Sequence, residues 1–211
     1  TREDRDRVGM AVEHRGTHAR HAGLLATAAL LFSLALSSVI PVTGAGATTA
    51  EKITYRPLIV TAIGDSVMID IRPSLGQIIP HLQVWGSVGQ QFVALPALLR
   101  NLIRHGALGA TVIIELGTNG YITETEIHQT MQLLGGARRV VFANVHAPRG
   151  WQNPNNALLA AATRRYPNVV VANWNRLASA HPSWFYSDGI HMPIGGAGAQ
   201  AYAQLLKTAI N

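Results

Sequence analysis

The chain has 211 residues, 48% of them hydrophobic and 13% charged, which is enough for one domain with a sizeable core and too little for two large ones. It contains no cysteine, so disulfides, thiol nucleophiles and Cys-ligated zinc are excluded. The formal charge of +6 favours anionic partners, but the arginines are scattered and no run interleaves them with aromatics, so a nucleic-acid groove is not expected.

Residues 1–21 are polar, with Arg2, Arg5, Arg7, Arg15 and Arg20 set against Glu3, Asp4, Asp6 and Glu13. Residues 22–40 carry no charge, and Leu24, Leu25, Leu30, Leu31, Phe32, Leu34 and Leu36 give them bulk. Such a stretch is long enough to cross a bilayer as a helix, and it lacks the polar face of a core helix. A secretory signal peptide is the rival reading, because Ala45, Ala47 and Ala50 offer small residues after Pro41. The long, mixed-charge segment before it favours a membrane helix. Five arginines precede the stretch and only Lys52 and Arg56 follow it closely, which leaves the N-terminus cytoplasmic and the rest of the chain outside. The first residue is Thr, and the chain is expected to be the tail of a longer membrane protein. The expected organisation is a cytoplasmic segment 1–21, a transmembrane helix 22–40, a small and polar linker 41–56, and a catalytic domain 57–211.

In that domain short apolar runs alternate with helical patterns. Strands are expected at Leu58–Ile63, Leu82–Trp85, Thr111–Leu116, Val140–Val145 and Val169–Ala172. Helices are expected at 68–79, 123–134, 155–165 and 197–210, with an amphipathic segment through Phe92, Leu95, Leu98, Leu99 and Ile103. Strands this apolar on both faces argue a five-stranded parallel sheet covered on each side, a three-layer α/β/α sandwich. Ligands of such sheets sit beyond the carboxyl ends of the strands.

The first strand runs into Gly64-Asp65-Ser66, which places Ser66 at that carboxyl edge before a helix. A helix-capping Ser is the plainer reading of the triplet alone. The third strand runs into Gly117-Thr118-Asn119-Gly120, where Asn-Gly is also strong turn chemistry. Near the C-terminus stands Asp188-Gly189-Ile190-His191. A Ser hydroxyl needs a base to take its proton and an acceptor to orient that base, and one loop can deliver both groups. Beyond the linker the only aspartates are Asp65, Asp70 and Asp188, while His81, His105, His128 and His181 read as surface residues. No His-Glu-x-x-His and no carboxylate cluster is present, so neither a metal nor a cofactor is expected.

Taken together in this order, Gly64-Asp65-Ser66, Gly117-Thr118-Asn119 and Asp188-Gly189-Ile190-His191 resemble the SGNH (GDSL-like) hydrolase superfamily across residues 57–210. The resemblance implies the flavodoxin-like SGNH fold, with Ser66 as nucleophile, His191 as general acid and base, and Asp188 as its orienter. It also implies an oxyanion hole from the Ser66 N–H, the Asn119 amide and a glycine N–H after the second strand. Asp65 would support the nucleophile loop. Either Gly86 or Gly89 aligns with that glycine, and Gly89 is favoured because it is expected to open the following helix.

A closer resemblance, carried by Ile63–Met68, Ser87–Gln91, Leu116–Gly120 and Pro148-Arg149-Gly150-Trp151, is to the extracellular C-terminal domain of peptidoglycan O-acetyltransferases. It implies an acyl donor and a cell-wall carbohydrate acceptor as partners, and an acyltransferase membrane domain upstream. Trp151 and Asn153 would then line the acceptor site and Arg149 would pair with an acceptor carboxylate, with a packing role open for Trp151. A lipase, thioesterase or carbohydrate acetylesterase is the enzymatic alternative. A membrane-tethered binding module without activity is the alternative of another class.

Overall fold

In the computed structural model the described residues are 53–211. The expected cytoplasmic segment 1–21, the expected membrane helix 22–40 and most of the linker lie outside them. Among the described residues no helix is long and apolar enough to cross a membrane.

Five strands, β1 (Arg56–Gly64), β2 (Leu82–Gly86), β3 (Gly109–Glu115), β4 (Arg139–Ala143) and β5 (Val169–Ala172), form one sheet in the order β2-β1-β3-β4-β5. All four pairings are parallel, as the doubly apolar strands require. Successive side chains leave a strand on opposite faces, and the core divides accordingly. Ala62, Ile113 and Val141 enter one layer with α1 (Ser66–Ile78), α5 (Trp174–Ser179) and α6 (Ala197–Ala209). Ile63, Ile114 and Phe142 enter the other with α2 (Leu95–Arg104), α3 (Glu124–Leu134) and α4 (Gln152–Arg165).

Among the described residues the expected strands and helices are all present, with instructive differences at their ends. Helix α1 starts at Ser66 itself, because the Asp65 side chain caps it by accepting from the Val67 N–H at 3.0 Å. Helix α3 opens on a full capping box between Thr123 and Glu126, so its start was legible. Helix α5 is one the sequence pattern does not announce. It is six residues long, too short for a periodic signal, and is held by the buried Trp174 ring stacked on Tyr202 at 3.9 Å between centroids. Gly89 does not open a helix as expected. It takes φ of +71° in a turn closed by Gln90 N–H donating to the Ser87 carbonyl, and a 3-10 turn at Phe92–Ala94 precedes α2.

The strand order reverses direction between β1 and β3, which opens a crevice at their carboxyl ends. Two glycines shape it. At Gly64 a Cβ would lie 2.8 Å from both the carbonyl oxygen and Oε2 of Glu115. Gly117 has φ of +121°, and a Cβ there would lie 2.8 Å from Val145. Gly64→Ala is expected to cost about 1–3 kcal/mol of unfolding free energy through this overpacking, read from urea melts. A stability equal to wild type would show that β1 and β3 can part at this point without cost.

Candidate active site

Three strand ends and one C-terminal loop deliver the site. Ser66 sits at the first position of α1, immediately beyond β1, where its N–H has no acceptor within the helix. The loop between α5 and α6 brings Asp188 and His191. Asp188 Oδ1 accepts the N–H groups of Ile190 at 2.9 Å and His191 at 3.0 Å, so the carboxylate shapes the turn that carries the imidazole. Its other oxygen, Oδ2, lies 2.6 Å from His191 Nδ1. The opposite ring nitrogen, Nε2, lies 2.8 Å from Ser66 Oγ. A carboxylate only accepts, so Nδ1 carries the hydrogen and Nε2 is left to take the Ser66 proton. Partial desolvation pushes the Asp188 carboxyl up. The hydrogen bonds from the His191 ring and the two backbone N–H groups outweigh it and hold the group below the usual carboxylate range.

The loop is anchored at its far side by Asp70 of α1, whose Oδ2 accepts the Met192 N–H at 3.3 Å. It also closes on itself, with the Tyr186 N–H donating to the His191 carbonyl at 2.9 Å.

Beyond β3, Asn119 Nδ2 donates to Asp65 Oδ2 at 2.9 Å. Its second contact, to the Gln90 carbonyl at 3.4 Å, is long enough for a better acceptor in the crevice to replace it. An ionised Asp65 can only accept, so it is Nδ2 rather than Oδ1 that faces it, and the amide is fixed donor-inward. The Asn119 loop is held from below by the fully buried Asn155 of α4. Asn155 Nδ2 donates to the carbonyls of Gly117 at 3.1 Å and Gly120 at 2.8 Å, while its Oδ1 accepts the Ile122 N–H at 2.8 Å.

Beneath the Ser66 turn lie two buried carboxyl groups, Asp65 and Glu115, with Glu115 Oε2 accepting the Asp65 N–H at 3.4 Å. Desolvation pushes Asp65 up to about 6, against the Val67 N–H that favours its charged form. Desolvation also lifts Glu115 well above the usual range, and the Asp65 charge lifts it further. Two buried carboxylates side by side repel, which favours a single proton shared by the pair. Asp65 holds the better donors for an anion, so the proton stays on Glu115. The Tyr202 hydroxyl, fully buried without a hydrogen-bond partner, is pushed up by its own desolvation and by the charges of Glu115 and Asp65.

Ser66, Asn119, Arg149, Trp151, Asp188 and His191 line one cavity of about 290 Å³, together with Thr118 and Ile190. Trp151 donates from Nε1 to the Thr118 carbonyl at 3.2 Å, and its ring lies 5.9 Å from that of the exposed Tyr121. Arg149 is exposed and donates to the Pro148 carbonyl at 3.1 Å. Gly89 and Asn153 do not line this cavity. Asn153 faces solvent in the first turn of α4, and Gly89 reaches the site only through its neighbour Gln90. Among the described residues no group of three His, Asp or Glu side chains could hold a metal. Sequence reasoning missed Glu115 and Asn155. The first looked like the end of an apolar strand. The second had a signal, a polar residue among the apolar positions of a helix, that points to a buried hydrogen-bonding role.

No family model matches the chain. It is 37% identical to the peptidoglycan O-acetyltransferase OatA of Listeria monocytogenes over 150 residues, covering 71% of this chain and 24% of that protein. It is 33% identical to the O-acetyltransferase OatA of Staphylococcus aureus over 138 residues, covering 65% of this chain and 23% of that protein. The chain therefore spans about a quarter of the length of these curated relatives. Among solved structures it is similar to the C-terminal catalytic domain of Streptococcus pneumoniae OatA carrying a methylsulfonyl adduct. That likeness has a TM-score of 0.65 at 20% identity, over 74% of this chain and 93% of that one. A lipolytic G-D-S-L family member from Veillonella parvula follows with a TM-score of 0.58 at 13% identity, over 71% and 96%.

The buried acid has a consequence for stability. Glu115 keeps its proton in the folded state at pH values where the unfolded chain releases it, so the unfolded state binds fewer protons and stability falls as pH rises above about 4.3. Glu115→Gln cannot ionise. Its melting temperature should therefore gain on wild type steadily between pH 5 and pH 8, measured by calorimetry. A constant difference across that range would mean that Glu115 is ionised in the folded protein.

Proposed function

We propose that this chain, which has the SGNH (GDSL-like) hydrolase fold and belongs to the SGNH esterase and O-acetyltransferase family, moves acetyl groups onto cell-wall carbohydrate through an acyl-enzyme on Ser66. The observation that carries the mechanism is the relay of 2.8 Å from Ser66 Oγ to His191 and 2.6 Å from His191 to Asp188. Ser66 Oγ attacks the ester carbonyl while His191 Nε2 takes its proton, and Asp188 steadies the imidazolium that results. The negative oxygen of the tetrahedral intermediate is met by the Ser66 N–H and by Asn119 Nδ2. His191 returns its proton to the leaving oxygen, and the acyl-enzyme remains. An acceptor hydroxyl then gives its proton to His191 and attacks the acyl carbon, which restores Ser66.

The relatives named as peptidoglycan O-acetyltransferases support acetyl as the group and cell-wall glycan as the acceptor. The cavity supports it too. It gathers Ser66, His191, Asn119, Arg149 and Trp151 around one space of about 290 Å³. Trp151 and Tyr121 offer an aromatic platform for a sugar ring, and Arg149 a cation for an acceptor carboxylate. Asn153 would contribute at the outer rim. In this reading residues 57–211 work outside the cytoplasm, 41–56 are a tether, 22–40 span the membrane after the short segment 1–21, and a membrane domain upstream supplies the acyl donor.

Purified residues 51–211 are expected to hydrolyse an activated acetyl ester and, with chitooligosaccharide present, to yield acetylated sugar by mass spectrometry. Ser66→Ala should abolish both activities, and Asn119→Ala should lower kcat by roughly a hundred-fold. Trp151→Ala should lose transfer and keep hydrolysis. Near wild-type turnover in Ser66→Ala would end the mechanism, whereas free acetate as the only product at saturating acceptor would make this an esterase.

A further inference from the structure

We infer that Glu115 is a positioning residue for the reaction, acting through Asp65 to hold the Asn119 amide as an oxyanion donor. The inference rests on Asn119 serving that role.

Three contacts form a continuous chain. Glu115 is buried at the end of β3, and its Oε2 accepts the Asp65 N–H at 3.4 Å beneath the Ser66 turn. Asp65 sends one carboxylate oxygen to the Val67 N–H at 3.0 Å, which starts helix α1 at Ser66. It sends the other to Asn119 Nδ2 at 2.9 Å. One carboxylate thus fixes the nucleophile's helix and the oxyanion donor at once.

Asp65 enforces this orientation only as an anion, because only then does it lack any hydrogen to donate. A protonated carboxyl would offer a hydrogen to Asn119, and the amide could turn its oxygen inward, where it would repel a developing oxyanion. The surroundings press toward that loss, since Asp65 is fully buried. Glu115 opposes it. Burial and the Asp65 charge drive its own carboxyl toward the protonated form, which leaves Asp65 the anion of the pair, and its Oε2 is the acceptor that faces the Asp65 N–H. Gly64 leaves room for this approach, because any side chain there would meet the Glu115 carboxyl. Without Glu115 the sheet would still form, since its β3 neighbours Ile113 and Ile114 supply the apolar contacts. What would be lost is the orientation of Asn119.

Glu115→Met fills the same space and cannot accept the Asp65 N–H. It should lower kcat toward an activated acetyl ester by ten-fold to a hundred-fold, comparable to loss of an oxyanion donor, with KM changed less than about two-fold. Glu115→Gln, which keeps both reach and hydrogen bonding, should restore kcat to within about three-fold of wild type. The same Met change in an Asn119→Ala background should cost less than about three-fold, because the group through which Glu115 acts is already gone. If Glu115→Met shows no cooperative melt, Glu115→Asp takes its place. Its withdrawn carboxyl should lower kcat at least ten-fold while Glu115→Gln does not.

A full loss of kcat persisting in the Asn119→Ala background overturns the inference. So does a lowered melting temperature with kcat intact, or a Gln variant no better than Met or Asp. Failure of the oxyanion reading itself looks different, since Asn119→Ala alone would then leave kcat unchanged.

Discussion

One negative charge, buried where the first and third strands end, organises the catalytic crevice. The Asp65 carboxylate caps α1 through the Val67 N–H and holds Asn119 through its amide. Buried charges are tolerated only when hydrogen-bonded, and here the partners that stabilise the anion are the parts of the site that need positioning. Glu115 beside it would double the charge if it ionised, so the pair keeps a proton and the geometry keeps one anion. The same economy explains Gly64 and Gly117, which bring two strand ends close enough for side chains to meet across them.

The Asp188–His191 pair is built differently. Its carboxylate is half-exposed and binds its own loop, accepting two N–H groups within three residues before it meets the imidazole. The loop is therefore locally determined, and only its docking on the sheet requires the fold. That docking comes through Asp70 and Met192, so α1 supports both the nucleophile and, one helical turn on, the loop that carries the base. Asn155 plays the matching part for the Asn119 loop, with all of its polar groups spent on backbone atoms. Loops at a functional edge gain precision in this way without becoming regular structure.

The chemistry that follows separates into two halves with different structural demands. Forming the acyl-enzyme needs the relay and the oxyanion donors, which the crevice floor provides. In the proposed reaction the acceptor is chosen at the walls, where Arg149 and Tyr121 stand exposed and Trp151 half-buried after β3 and β4. An exposed cation and paired aromatic rings are suited to a charged sugar, whereas water needs no such platform. On the proposed function, the division between transfer and hydrolysis would lie in the walls.

Much of this was written locally in the chain. Five runs of apolar residues broken by helical patterns determined a parallel sheet covered on both sides, because strands buried on two faces have no polar side to show. Ser66, Asn119, Asp188 and His191 could be placed at its carboxyl edge because each follows a strand or a tight turn whose residues announce it. What the sequence could not decide depends on which distant atoms meet. Glu115 reads as one polar residue near the end of an apolar strand until the register sets it beside Gly64 and under Asp65. Asn155 reads as one polar residue in a helix until the fold brings Gly117 and Gly120 to it. Gly89 follows the second strand as expected, yet stands in an exposed turn beside the cavity rather than on its lining. Periodicity and turn chemistry are properties of neighbours along the chain, so sequence alone determined the elements and the reactive side chains. Burial and hydrogen-bond partnership are properties of neighbours in space, so only the tertiary structure decided which carboxyl is pushed toward its protonated form and which amide Asp65 holds in place.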